Sequence, residues 1–179
     1  GDQSTACASC TEGKHSNAGA VTCSNCDAGQ EGSGTAGNKD TACTSCSNGK
    51  YSNAGDPTCS DCIDGKYSNA GDVGCSNCDA GQKGTGTPGN KDTACGDCAS
   101  GKFSNVGDST CSDCINGKYS DSGDSTCSNC DAGQKGTGNV GDQSTACASC
   151  TEGKHSNAGA VTCSNCDAGQ EGSGTAGNK

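Results

Sequence analysis

Apolar positions in this chain are few, isolated and periodic. Long polar, glycine-rich runs separate single rings in a Gly-Lys-aromatic-Ser frame, at His15, Tyr51, Tyr67, Phe103, Tyr119 and His155. Those six positions hold every aromatic residue and every histidine in the chain. Nowhere do apolar residues recur at the three- and four-residue spacing of an amphipathic helix, so the pattern predicts no helices. Around each ring, Gly-Lys-Tyr-Ser reads as a strand, Asn-Ala-Gly-Asp as a turn and Ser-Thr-Cys-Ser as a returning strand. The unit is a small hairpin with a cysteine at each end. Other intervals open with Cys-Asp-Ala-Gly-Gln, are longer and richer in glycine, and predict wider, irregular loops. The two prolines, Pro57 and Pro88, fall in turns.

Cysteine sets the period. CxxC pairs begin at Cys7, Cys23, Cys43, Cys59, Cys75, Cys95, Cys111, Cys127, Cys147 and Cys163, in steps of 16, 20, 16, 16, 20, 16, 16, 20 and 16 residues. They use all 20 cysteines. Short modules open at Cys10, Cys46, Cys62, Cys98, Cys114 and Cys150; long ones open at Cys26, Cys78 and Cys130, with a further, partial copy at Cys166. Residues 1–39 and 141–179 are identical, so a 140-residue period restarts within the chain. Counted from CxxC to CxxC, two 52-residue units, 43–94 and 95–146, each step 16, 16 and 20, and 147–179 begins the next block. This organisation is that of a tandem array with no separate globular domain. The chain is expected to be a mature product or a window on a longer array.

Composition explains why the cysteines are needed. Beyond Cys and Ala, the apolar inventory is five Val, two Ile, three Tyr and one Phe. Eleven such side chains cannot bury enough surface to offset the ordering of 179 residues. Cysteine at this density marks a disulfide scaffold in an oxidising, extracellular setting. Net charge is −10, and all 11 basic residues are lysines without a basic cluster, which excludes a nucleic-acid footprint or attraction to an anionic membrane. No apolar run reaches the length of a membrane span.

Three roles for the cysteines compete: a ladder of staples, tetrathiolate zinc sites at C-x2-C-x12-C-x2-C spacing, and redox-active dithiols. Loop length and internal signature change together over the interval from the second cysteine of one pair to the first of the next. That is the behaviour of a closed loop. Zinc would consume pairs two at a time, yet the 52-residue unit holds three; redox motifs come singly on a βαβ scaffold that the pattern lacks. The ladder is therefore Cys10–Cys23, Cys26–Cys43, Cys46–Cys59, Cys62–Cys75, Cys78–Cys95, Cys98–Cys111, Cys114–Cys127, Cys130–Cys147 and Cys150–Cys163. Cys7 and Cys166 would bond to neighbouring modules outside the window. No cofactor or metal is expected.

The run Cys-x-x-Gly-Lys-Tyr-Ser…Cys-x-x-Cys resembles ephrin-receptor-like and tumour-necrosis-factor-receptor-like cysteine-rich repeats. The long modules ending in Asp-Thr-Ala-Cys-x-x-Cys resemble cysteine-periodic ciliate surface antigens. The resemblance covers the whole chain and implies a bond within each Gly-Lys-aromatic module. It does not single out a function, because such repeats serve receptors, adhesion proteins and surface coats.

The remaining features favour structural roles. The aromatic slot reads as a plug, its ring lying on the adjacent disulfide. Asp56, Asp72, Asp108 and Asp124 read as turn formers, since no run of alternating oxygen ligands for calcium is present. There is no Asn-x-Ser/Thr sequon, while Ser33, Thr35, Thr85, Thr87 and Thr137 lie in glycine-rich loops suited to O-linked glycans. No nucleophile, base and acid come together in the sequence, so no enzyme is expected. The fold expected is an elongated rod of stapled β-hairpins and irregular loops. The function expected is an extracellular or cell-surface structural protein, a fibre, appendage or coat stalk that continues or self-associates along its repeats. A receptor-like or adhesive ectodomain binding a ligand through its loops is the alternative.

Overall fold

The computed structural model describes residues 8–171. The strands of this region pair into nine two-stranded sheets. In the short modules the first strand is the Lys-aromatic dipeptide, as in Lys50–Tyr51, Lys66–Tyr67, Lys102–Phe103 and Lys118–Tyr119. The returning strand is not Ser-Thr-Cys-Ser as the pattern suggests. It is the dipeptide inside the following CxxC: Ser60–Asp61, Ser76–Asn77, Ser112–Asp113 and Ser128–Asn129. Tyr51 lies antiparallel to Ser60, and Tyr119 to Ser128. The ladder then runs one step further, because the N–H of each pair's second cysteine donates to the turn glycine: Cys62 to Gly49 at 2.8 Å and Cys130 to Gly117 at 2.9 Å. The strand therefore sits where the pair's two cysteines, one closing a loop and one opening the next, can face opposite modules.

Long modules are hairpins as well, pairing Gln30–Gly32 with Cys43–Ser45 and Gln134–Gly136 with Cys147–Ser149. The expectation of a helix-free chain is corrected here. Single helical turns occupy Lys39–Ala42, Lys91–Ala94 and Gln143–Ala146. Each is capped by a side chain that accepts from the third N–H beyond it: Asn38 from Thr41, Asn90 from Thr93, Asp142 from Thr145. The following cysteine already has extended dihedrals, so each helix ends after four residues. A four-residue turn is too short to show periodicity. Its cap is the only local signal.

Among the described residues, nine disulfides join Cys10–Cys23, Cys26–Cys43, Cys46–Cys59, Cys62–Cys75, Cys78–Cys95, Cys98–Cys111, Cys114–Cys127, Cys130–Cys147 and Cys150–Cys163. Cys7 lies outside the described residues, and Cys166 forms no disulfide among them. The chain divides into two compact units, one running to Cys78 and including Thr85–Cys95, the other taking Asp79–Gly84 and everything from Gly96 on. In both, the buried residues are cysteine, alanine, serine and glycine. All seven valines and isoleucines are exposed, from Val140 at 46% to Val21 at 98%. The interior is built of sulfur and backbone, and the chain's aliphatic side chains take no part in it.

Candidate functional site

The recurring constructed feature is the joint between successive modules. Its centre is the serine that follows each aromatic ring. In the first unit, Ser52 and Ser68 are buried; in the second, Ser104, Ser120 and Ser156 are buried. Each grips the preceding module at two points. Its carbonyl accepts a turn-glycine N–H: Ser52 from Gly29, Ser68 from Gly49, Ser104 from Gly81, Ser120 from Gly101 and Ser156 from Gly133, at 2.8–3.0 Å. Its hydroxyl donates to the carbonyl of the next residue along: Gln30, Lys50, Gln82, Lys102 and Gln134, at 2.6–3.0 Å. The same oxygen lies 3.4–3.5 Å from the sulfur of its own module's opening cysteine. Polar groups this deeply buried are costly unless paired, and here each pair also sets the position of the neighbour.

A second contact reinforces the joint. The turn-glycine N–H donates back to the opening cysteine of the preceding module, Gly55 to Cys26 and Gly71 to Cys46 in one unit, Gly123 to Cys98 and Gly159 to Cys130 in the other. A third reaches further. A Cβ placed on Gly29 would lie 2.1 Å from the Gly71 carbonyl oxygen, two modules on, and one on Gly117 would lie 2.4 Å from that of Gly159. Contacts thus extend to the second neighbour along each unit.

Removing one clamp hydroxyl should be measurable. Ser120→Ala leaves the Lys102 carbonyl buried without its donor, a loss of about 1–3 kcal/mol. Denaturant unfolding of the disulfide-intact chain should show it, with Ser125→Ala, at an exposed position, staying within about 0.5 kcal/mol of the parent.

The aromatic slots hold half-buried rings at His15, Tyr51, Tyr67, Phe103, Tyr119 and His155. Tyr119 packs on the cluster of Cys130, Ala146 and Cys147 in the following long module. In the corresponding place His15 lies with Nδ1 3.8 Å from Cys43 Sγ. His15, Cys26 and Cys43 together bring three ligand-type atoms within 4.8 Å of one another. The two sulfurs are bonded to each other, and the thiolate, not the disulfide, is the metal ligand.

The aspartates beside the turn glycines close the turns from their far end: the carboxylates of Asp56, Asp72, Asp108 and Asp124 accept from the N–H three residues earlier, at Asn53, Asn69, Asn105 and Asp121, at 2.7–2.8 Å. At the cap Asp142, the Ser144 hydroxyl, then the Thr145 N–H and hydroxyl, hold the carboxyl below its usual range. Among the loop hydroxyls, those of Ser33, Thr85 and Thr137 are tied to the backbone, donating to the carbonyls of Ala42, Thr93 and Thr145. They also accept from the N–H two residues on, at Thr35, Thr87 and Asn139. Thr35 and Thr87 themselves are exposed. Exposed Lys–Asp pairs at Lys39–Asp27, Lys50–Asp61 and Lys102–Asp113 decorate the surface and add little stability. No helix among the described residues is long and apolar enough to cross a membrane.

Fold and joints together define a periodic cysteine-rich repeat protein of disulfide-stapled hairpins. The chain matches no protein-family model and no curated protein sequence.

Proposed function

We propose that this chain is an extracellular structural protein: a segment of a fibre, appendage or surface coat whose length is set by copy number. The observation that carries this reading is the serine clamp. Each buried serine that holds a module also fixes its neighbour, which is the energetics of a quasi-one-dimensional array. The nine disulfides suit an oxidising compartment. We assign the chain no enzymatic activity; its two histidines occupy plug positions. Its partners are further copies of the same repeat, with O-linked glycans at the exposed Thr35 and Thr87.

Electron microscopy of the native material tests this. Filaments or a continuous coat with a regular axial repeat are the expected result. Short discrete particles, each holding a single chain, would overturn it and return the receptor-like or adhesive alternative.

A further inference from the structure

One disulfide differs chemically from its equivalents. The three long-module bonds, Cys26–Cys43, Cys78–Cys95 and Cys130–Cys147, share a sequence separation of 17 and nearly identical burial, 0% exposed at the first cysteine and 7–8% at the second. Access to the three is therefore matched. What differs is the ring in the preceding slot: Tyr67 stands before Cys78–Cys95 and Tyr119 before Cys130–Cys147, whereas His15 stands before Cys26–Cys43. The imidazole Nδ1 is 3.8 Å from Cys43 Sγ. In the identical copy 140 residues on, His155 and Cys166 take the places of His15 and Cys26.

We propose that, of these three buried bonds, Cys26–Cys43 is the one that small dithiols open fastest, because His15 stabilises the departing sulfur. When the module opens locally, a dithiol's thiolate attacks Cys26 Sγ, fully buried in the closed fold, and forms a mixed disulfide. The Cys26–Cys43 bond breaks, and its electron pair leaves on Cys43 Sγ. The protonated imidazole donates its Nδ1 proton to that sulfur, giving the Cys43 thiol, and the proton lost by the attacking thiol recharges the ring. The reagent's second thiol then attacks its own sulfur in the mixed disulfide and releases the Cys26 thiol. The dithiol ends as a cyclic disulfide, oxidised by two electrons, and the protein bond is reduced by two. Leaving-group stability governs the rate of such exchange, and a neighbouring protonated imidazole lowers the basicity of a thiolate. Tyrosine in the same slot places a far weaker acid on the disulfide-bearing module.

The substrate class is a small dithiol. The test uses the native, fully oxidised chain and dithiothreitol at limiting time. Aliquots are quenched by alkylation and the modified cysteines mapped by mass spectrometry. Cys26 and Cys43 should open about five- to tenfold faster than the two matched bonds. His15→Tyr should remove that lead, and Tyr67→His should confer it on Cys78–Cys95. Both substitutions exchange residues that already occupy this slot elsewhere in the chain, so the fold is kept. Equal rates at all three bonds overturn the proposal, as does a lead that survives His15→Tyr or fails to transfer with Tyr67→His.

Discussion

Complete reduction and alkylation of the cysteines unfolds the chain throughout, with no residual hairpin signal. Each closed loop restricts the unfolded ensemble by about 3 kcal/mol. Nine such loops exceed the whole net stability of an ordinary domain, about 5–15 kcal/mol. Nothing else can replace them, because the interior holds no Val, Ile or Leu and its largest fully buried side chains are those of cysteine and serine. Far-UV circular dichroism and hydrogen exchange before and after alkylation should show an ordered chain become wholly exchangeable. A reduced chain that kept slowly exchanging amides at the clamp glycines would show that the backbone joints stand without sulfur.

Gly81→Ala has the largest expected effect of any single substitution away from cysteine. Gly81 has φ of +84°, and an added Cβ would lie 2.0 Å from the Gly123 carbonyl oxygen. The left-handed conformation alone costs a residue with a side chain about 1–2 kcal/mol, and forcing backbone apart in a close-packed contact adds about 1–3 kcal/mol. Gly138 separates the two terms. Its φ is +82°, yet nothing lies within 4 Å of the added Cβ, so Gly138→Ala should cost only the conformational part. Urea unfolding of the two variants should differ by the contact term; equal losses would show that the approach of Gly123 relaxes at no cost.

Much of this was written in the order of residues. Loop length and signature vary as a block between the second cysteine of one pair and the first of the next, and a covalent loop is the only local object with those ends. The turns closed by the Asp56 and Asp108 carboxylates follow from the same short-range chemistry. The clamp serine was missed, although it stands after the ring in all six short modules while other turn positions change. Serine in a polar chain reads as a surface residue unless its invariance across the repeat is weighed. The glycine contacts were hidden for another reason. A positive φ fully explains Gly29 or Gly81 locally, and the approach of a carbonyl 42 residues away leaves no further mark. The helical turns at Lys39–Ala42 and its equivalents carry only a cap residue as a signal, which competes with the turn reading of the same Asn or Asp.

The sulfur ladder also determines how the chain bears load. Tension applied along it does not travel through the hairpins. It crosses each module between cysteines whose Cα atoms are 5.6–5.8 Å apart and passes to the next through the two residues inside a CxxC. A taut short module therefore spans about 16 Å, against about 55 Å for the same 16 residues pulled straight without the bridge. The oxidised chain is a tape of low extensibility, with most of its contour stored in loops that carry no force. Cleaving Cys26–Cys43 alone would let out the slack of that single loop, lengthening the tape by a fixed increment.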